Sequence, residues 1–73
     1  MNNGKSKEFY AEQARKLESV VAAKRSFTVR EAGEILGYGS ENTAATLNCI
    51  QNLVMFGLVV EERVGKYKKY HLP

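Results

Sequence analysis

Residues 28–57 read TVREAGEILGYGSENTAATLNCIQNLVMFG, and two helices joined by a tight turn can be drawn on that stretch alone. Thr28 and Glu31 stand at the spacing of a capping box, in which the Thr hydroxyl accepts from the third helical N–H and the Glu carboxylate takes the cap's own N–H. A helix therefore starts at Val29, carries Val29, Ala32, Ile35 and Leu36 on one side, and stops at Gly37. Gly37-Tyr-Gly-Ser40 is the connector, with two glycines for the positive φ angles of a short helix-to-helix turn. Ser40 or Asn42 can cap the next helix. From there Leu47, Ile50, Leu53 and Val54 repeat at helical spacing as far as Gly57, which sits where a left-handed residue closes a helix.

Upstream, Tyr10, Ala14, Leu17 and Val21 form one apolar stripe, widened by Phe9 and Val20, so a helix is expected from Lys7 to about Lys24. Glu8 and Glu12 would lie in its first turns and Lys24 and Arg25 at its end, complementing the helix dipole, with Glu12 and Lys16 as an i, i+4 pair. Phe27, flanked by polar residues, reads as an extended bridge that drops one aromatic ring into a core. Downstream the period changes to two. Leu58–Val64 is rich in β-branched residues, Gly65-Lys66 can reverse the chain, and Tyr67–Leu72 runs back with alternation, which makes a β-hairpin. If Tyr70 and Leu72 face the core, Tyr67, Lys69 and His71 face outward.

The expected fold is α+β, three helices followed by a C-terminal hairpin, in one domain over residues 7–73 behind a flexible tail over residues 1–6. At 73 residues there is no chain left for a second core. A lone Cys cannot close an intrachain disulfide, and one Cys with one His falls short of the four ligands of a structural zinc site. No stretch approaches the roughly 20 apolar residues of a membrane span, so a cytoplasmic protein without a metal or other cofactor is expected. The net charge of +3 hides a segregation: residues 1–30 carry +4, residues 31–62 carry −5, and residues 63–73 carry +4.

This order of elements resembles a winged helix-turn-helix DNA-binding domain over about Lys7 to Leu72. Leu36-Gly-Tyr-Gly-Ser-Glu-Asn42, followed by a helix that ends in Phe56-Gly-Leu-Val59, is locally similar to the DNA-binding domain of the SOS-response repressor (LexA-type) family. The resemblance implies that helix 41–56 lies in the major groove of double-stranded DNA and that wing 58–72 rests on backbone or minor groove. It further implies a small transcriptional regulator, a repressor, of the kind prokaryotes and their viruses carry.

Chemistry adds residues to that expectation. The polar side of the third helix offers Asn42, Thr43, Thr46, Asn48, Gln51 and Asn52, and amides and hydroxyls suit base edges; Ser40, Asn42, Thr43, Asn48 and Gln51 are the candidate readers. The helix has neither Lys nor Arg, so phosphate contacts must come from Arg63, Lys66, Lys68 and Lys69 in the wing, from Arg30 and from Lys24-Arg25 before it. Four wing contacts give a salt slope of roughly −3.6, a weak grip for one module. Tight binding then needs two copies. A homodimer through Phe9, Tyr10, Leu17 and Val21 of the first helix would space two reading helices for a palindromic site. Adjacent Val54, Met55 and Phe56 point the same way, since neighbours about 100° apart on a helix cannot all be buried in one small core.

Catalysis finds no foothold in these residues. Cys49 lies mid-helix and His71 near the C-terminus, with no nucleophile, base and orienting group together. Glu61 and Glu62 alternate across a strand and cannot act as a close pair. Gly37-Tyr-Gly39 lacks the rest of a phosphate-cradling fingerprint, and nothing points to a small-molecule ligand. The rival to DNA binding is a winged-helix adaptor that engages another protein, which an uncharged third helix with Met55 and Phe56 would suit. A reader of left-handed duplex would need a Tyr on the third helix and a Trp in the wing, and both are missing.

Overall fold

Ser6 begins the first helix. In the computed structural model, which describes residues 6–22 and 24–73, its hydroxyl accepts from the Phe9 N–H at 3.3 Å and caps α1, Lys7–Val20. The tail expected over residues 1–6 lies outside the described residues except for Ser6, which caps the helix. Tyr10, Leu17 and Val21 are buried along one face. Gln13 is buried with them, its side-chain amide donating to the Phe9 carbonyl at 3.2 Å. Glu12 pairs with Arg15 at 3.9 Å instead of the expected Lys16, an exposed contact worth at most about 1 kcal/mol.

α1 ends at Val20, earlier than the expected Lys24. Val21 is already extended (φ −110°, ψ 124°), and Lys24 turns the chain with φ 67°. The pull comes from downstream: the Phe27 N–H donates to Tyr70 O at 2.7 Å and the Tyr70 N–H to Phe27 O at 2.9 Å, a single antiparallel bridge. A helix running on through Lys24 would leave too little chain to reach it, and two successive β-branched valines gain little from staying helical. Consequently the last turn of α1 has no basic residue, and Lys24 and Arg25 do not complement its dipole.

α2 spans Val29–Leu36 with both halves of the capping box formed, Glu31 N–H to Thr28 Oγ1 at 3.2 Å and Thr28 N–H to Glu31 Oε1 at 2.9 Å. It stops at Gly37, whose φ of 91° suits a residue without a Cβ. The amides of Gly37, Tyr38 and Gly39 converge on the Gly33 carbonyl at 2.9–3.0 Å, folding the turn tightly back on the helix end. α3, Thr43–Met55, then crosses α2 at Gly33. A Cβ on Gly33 would lie 2.9 Å from Gly39 O and 2.9 Å from Thr46 Oγ1, so the crossing is closed to any larger residue.

The end of α3 is a Schellman motif. Leu58 N–H donates to Leu53 O at 2.9 Å and Gly57 N–H to Val54 O at 3.0 Å, with Gly57 at φ 76°. This sends the chain into β1, Val60–Val64, which pairs antiparallel with β2, Tyr67–His71, through the turn at Gly65-Lys66. Val59, Tyr70 and Leu72 of the hairpin segment join Phe27 and the inner faces of the helices in one core that includes Ala32, Leu36, Ile50 and Leu53. Tyr67 faces outward and Lys69 and His71 are half-exposed, as alternation requires. The result is an α+β, winged-helix-like arrangement of three helices and a two-stranded hairpin. Among the described residues no helix is long and apolar enough to cross a membrane.

Gly33→Ala is expected to destabilise the fold: overpacking against a backbone carbonyl costs roughly 1–3 kcal/mol, while better helix propensity returns about 1 kcal/mol at most. A lowered urea midpoint with unchanged slope is the readout, and a stabilised variant would contradict the close crossing.

Candidate nucleic-acid interface

On α3 the residues turned to solvent are Thr43, Ala44, Asn48, Gln51 and Met55. Ala44, Asn48, Gln51 and Met55 follow one another at i, i+4, i+7 and i+11, so they form a single stripe opposite the buried Thr46, Ile50 and Leu53. Among the described residues no hydrogen bond occupies the side-chain amides of Asn48 and Gln51. Asn52 is engaged differently, its amide donating to the Asn48 carbonyl at 2.9 Å.

Thr46, counted on the polar side from the sequence, is buried instead. Its hydroxyl donates to the Asn42 carbonyl at 3.0 Å and fills the space over Gly33, so it has no part in an outer surface. Asn42 takes the cap position of α3 and is exposed, yet its side chain makes no capping bond, and Ser40 is half-buried in the turn. With no side-chain cap and no acidic residue in the first turn, the leading N–H groups of α3 are left to water or to an anion.

The cations lie elsewhere. Arg63, Lys66 and Lys68 are exposed on the hairpin, Lys69 is half-buried, and Arg30 is exposed near the start of α2. The Lys68 ammonium stands 3.8 Å from the Glu61 carboxylate, an exposed pair that a phosphate could displace at a cost below about 1 kcal/mol. Glu61 and Glu62 do part company: Glu61 faces Lys68, whereas Glu62 accepts from the Ser26 hydroxyl at 2.7 Å.

The dimer surface expected on α1 is corrected by the packing. Tyr10, Leu17 and Val21 are buried in the protomer's own core, and Phe9 is half-buried against the Tyr10 ring, with centroids 5.0 Å apart. The amphipathic stripe of α1 is spent on the interior that α2, α3 and the hairpin share with it. Of Val54, Met55 and Phe56, Met55 alone is left out, 69% exposed, while Phe56 rests 5.6 Å from the Tyr10 ring.

Cys49 lies buried on the inner side of α3, close to the Tyr38 side chain from the turn. Burial raises its pKa above the ordinary 9.0, against smaller opposing effects of Tyr38 and of Lys16. Burial likewise raises Tyr38, helped by Cys49, and Tyr70, helped by Glu61 across the hairpin. Among the described residues no group of His, Cys, Asp and Glu could hold a metal ion.

Comparison of the chain with protein-family models, with curated proteins and with solved structures returns no match.

Because all three raised groups keep their protons longer when folded, the unfolded chain binds fewer protons above the ordinary values of 9.0 and 10.0. Stability is then complete below those values and is lost as pH climbs through the folded ones. The urea midpoint should be flat through neutral pH and fall from about pH 9 upward, and Cys49→Ala should remove the earliest part of the fall. A midpoint that rises over that range would contradict the burial of these groups.

Proposed function

We propose that this chain is a sequence-specific double-stranded DNA-binding protein, a small transcriptional repressor that acts by contact and not by catalysis. The observation that carries the reading is the exposed α3 stripe, in which Asn48 and Gln51 offer two unengaged amides on a surface free of charge. Amides read adenine through its paired donor and acceptor in the major groove. Asn42, Thr43 and Ser40 at the leading end would add hydroxyl and amide contacts, and the uncapped α3 N–H groups would meet a phosphate. Grip would come from Arg63, Lys66, Lys68 and Lys69 on backbone or minor groove, with Arg30 as a further phosphate contact. A lone buried thiol and a DNA target both suit the interior of a cell. Two copies on a palindromic site would supply the affinity that one module lacks.

An adaptor role without DNA is favoured by one observation, the exposed Met55 at the end of an uncharged helix. Gel shift with random duplex across a salt series separates the two readings. Binding that falls steeply with salt supports DNA recognition, and no binding at about 50 mM salt supports the adaptor. On duplex selected from a random pool, Asn48→Ala is expected to cost roughly 1–3 kcal/mol at the preferred site and little elsewhere. Lys68→Ala with Lys69→Ala should weaken every sequence alike and flatten the salt slope by about 2. Equal loss on all sequences from Asn48→Ala would remove it from the readers.

A further inference from the structure

Among the described residues the outer edge of β1 is open. Tyr70 spends both its N–H and its C=O on Phe27, so its opposite number Glu61 belongs to a pair that exchanges no hydrogen bond with β2. In an antiparallel ladder that means the Glu61 N–H and C=O point away from β2, and Arg63, two residues on, repeats the arrangement. Val60, Glu62 and Val64 point theirs inward at His71, Lys69 and Tyr67. The edge thus presents two donor–acceptor sets, at Glu61 and Arg63, with nothing paired to them among the described residues.

The geometry points to a second copy of this chain as the occupant, paired edge to edge in an antiparallel register with Val60 opposite the partner's Val64, Glu61 opposite the partner's Arg63 and Glu62 at the two-fold axis. The hydrogen-bonding parity permits pairing of Glu61 and Arg63 only with outward-pointing residues. Three two-fold registers satisfy that condition. Centring on Glu61 sets Glu61 against its own copy, and centring on Arg63 sets Arg63 against its own copy; both place like charges face to face. Centring on Glu62 matches acid to base twice and valine to valine twice, because Val60-Glu-Glu-Arg-Val64 is complementary to its own reversal at four of its five positions.

Two exposed features of the hairpin are accounted for at once. Val60, Val64 and Tyr67 lie on one face at 40%, 46% and 72% exposure, and the register lays the partner's Val64 beside Val60 and the partner's Val60 beside Val64, which stands between it and Tyr67. On the other face Arg63 stands directly opposite Lys68, a repulsive pair within the monomer, and the partner's Glu61 would lie on the free side of that Arg63. The remaining mismatch, Glu62 against its copy, is tempered by the Ser26 hydroxyl and by Lys69 across the ladder. Arg63 would then serve the seam, leaving Lys66, Lys68 and Lys69 as the hairpin cations outside it. This pairing stands or falls without any nucleic acid.

Sedimentation equilibrium of the full chain, without DNA, from about 10 μM to about 1 mM is the test, since a seam this small belongs with weak interfaces. A monomer–dimer equilibrium is expected. Arg63→Glu and Glu61→Arg should each weaken it by roughly tenfold or more, the double swap should restore it to within about threefold of the parent, and Glu62→Gln should tighten it. Circular dichroism establishes that each variant is folded. Amide exchange supplies a second readout, because Glu61 and Arg63 N–H groups should gain protection with concentration while those of Val60 and Glu62 are protected throughout. A monomer at the highest concentration, a dimer whose Glu61 and Arg63 amides exchange freely, or a double swap without rescue would each overturn the pairing.

Discussion

The missing side chain of Gly33 is the constraint on which the architecture depends. Its absence lets the Gly39 carbonyl and the Thr46 hydroxyl come within a distance that a Cβ would occupy, so α2, the turn and α3 lock together at one point. The same residue's carbonyl gathers three amides of the turn. Once α3 is fixed there, its inner face must hold Thr46, Ile50 and Leu53, and the opposite stripe of Ala44, Asn48, Gln51 and Met55 is fixed to solvent. The candidate reading surface is therefore an outcome of packing at a position that bears no functional group.

A second attachment ties the hairpin to the helices. The bridge between Phe27 and Tyr70 pulls the chain out of α1 and makes β2 the inner strand, while the Schellman turn at Gly57 aims β1 outward from α3. One consequence is that β1 has a free edge. Another is that the cations of the hairpin are displayed on a ribbon held at one end only, apart from the uncharged helix.

Local rules made much of this legible in the sequence. The capping box at Thr28 and Glu31, the stops at Gly37 and Gly57 and the reversal at Gly65-Lys66 involve residues a few positions apart, and each forms where its spacing places it. What spacing could not show depended on distant partners. The end of α1 is set by Tyr70, some fifty residues on; Thr46 is turned inward by the gap over Gly33; and the apolar stripe of α1, which suits an interface as well as a core, is claimed by the core that α2, α3 and the hairpin build against it. Gly33 itself carried a signal, a helix-weakening residue in the middle of a well-capped helix, and such a residue points to a close approach. The outward amides of Asn48 and Gln51 were legible from the 3.6-residue period, whereas what they contact is a property of surfaces beyond the chain.

Tyr38 and Cys49 give the helix-turn-helix unit an internal clock. The thiol is buried on the inner side of α3, and Tyr38 of the connector between α2 and α3 lies close to it. A thiol reagent reaches the buried Cys49 only when the packing around it opens, so the labelling rate reports that opening, local or global. No probe has to be engineered to watch the two helices part.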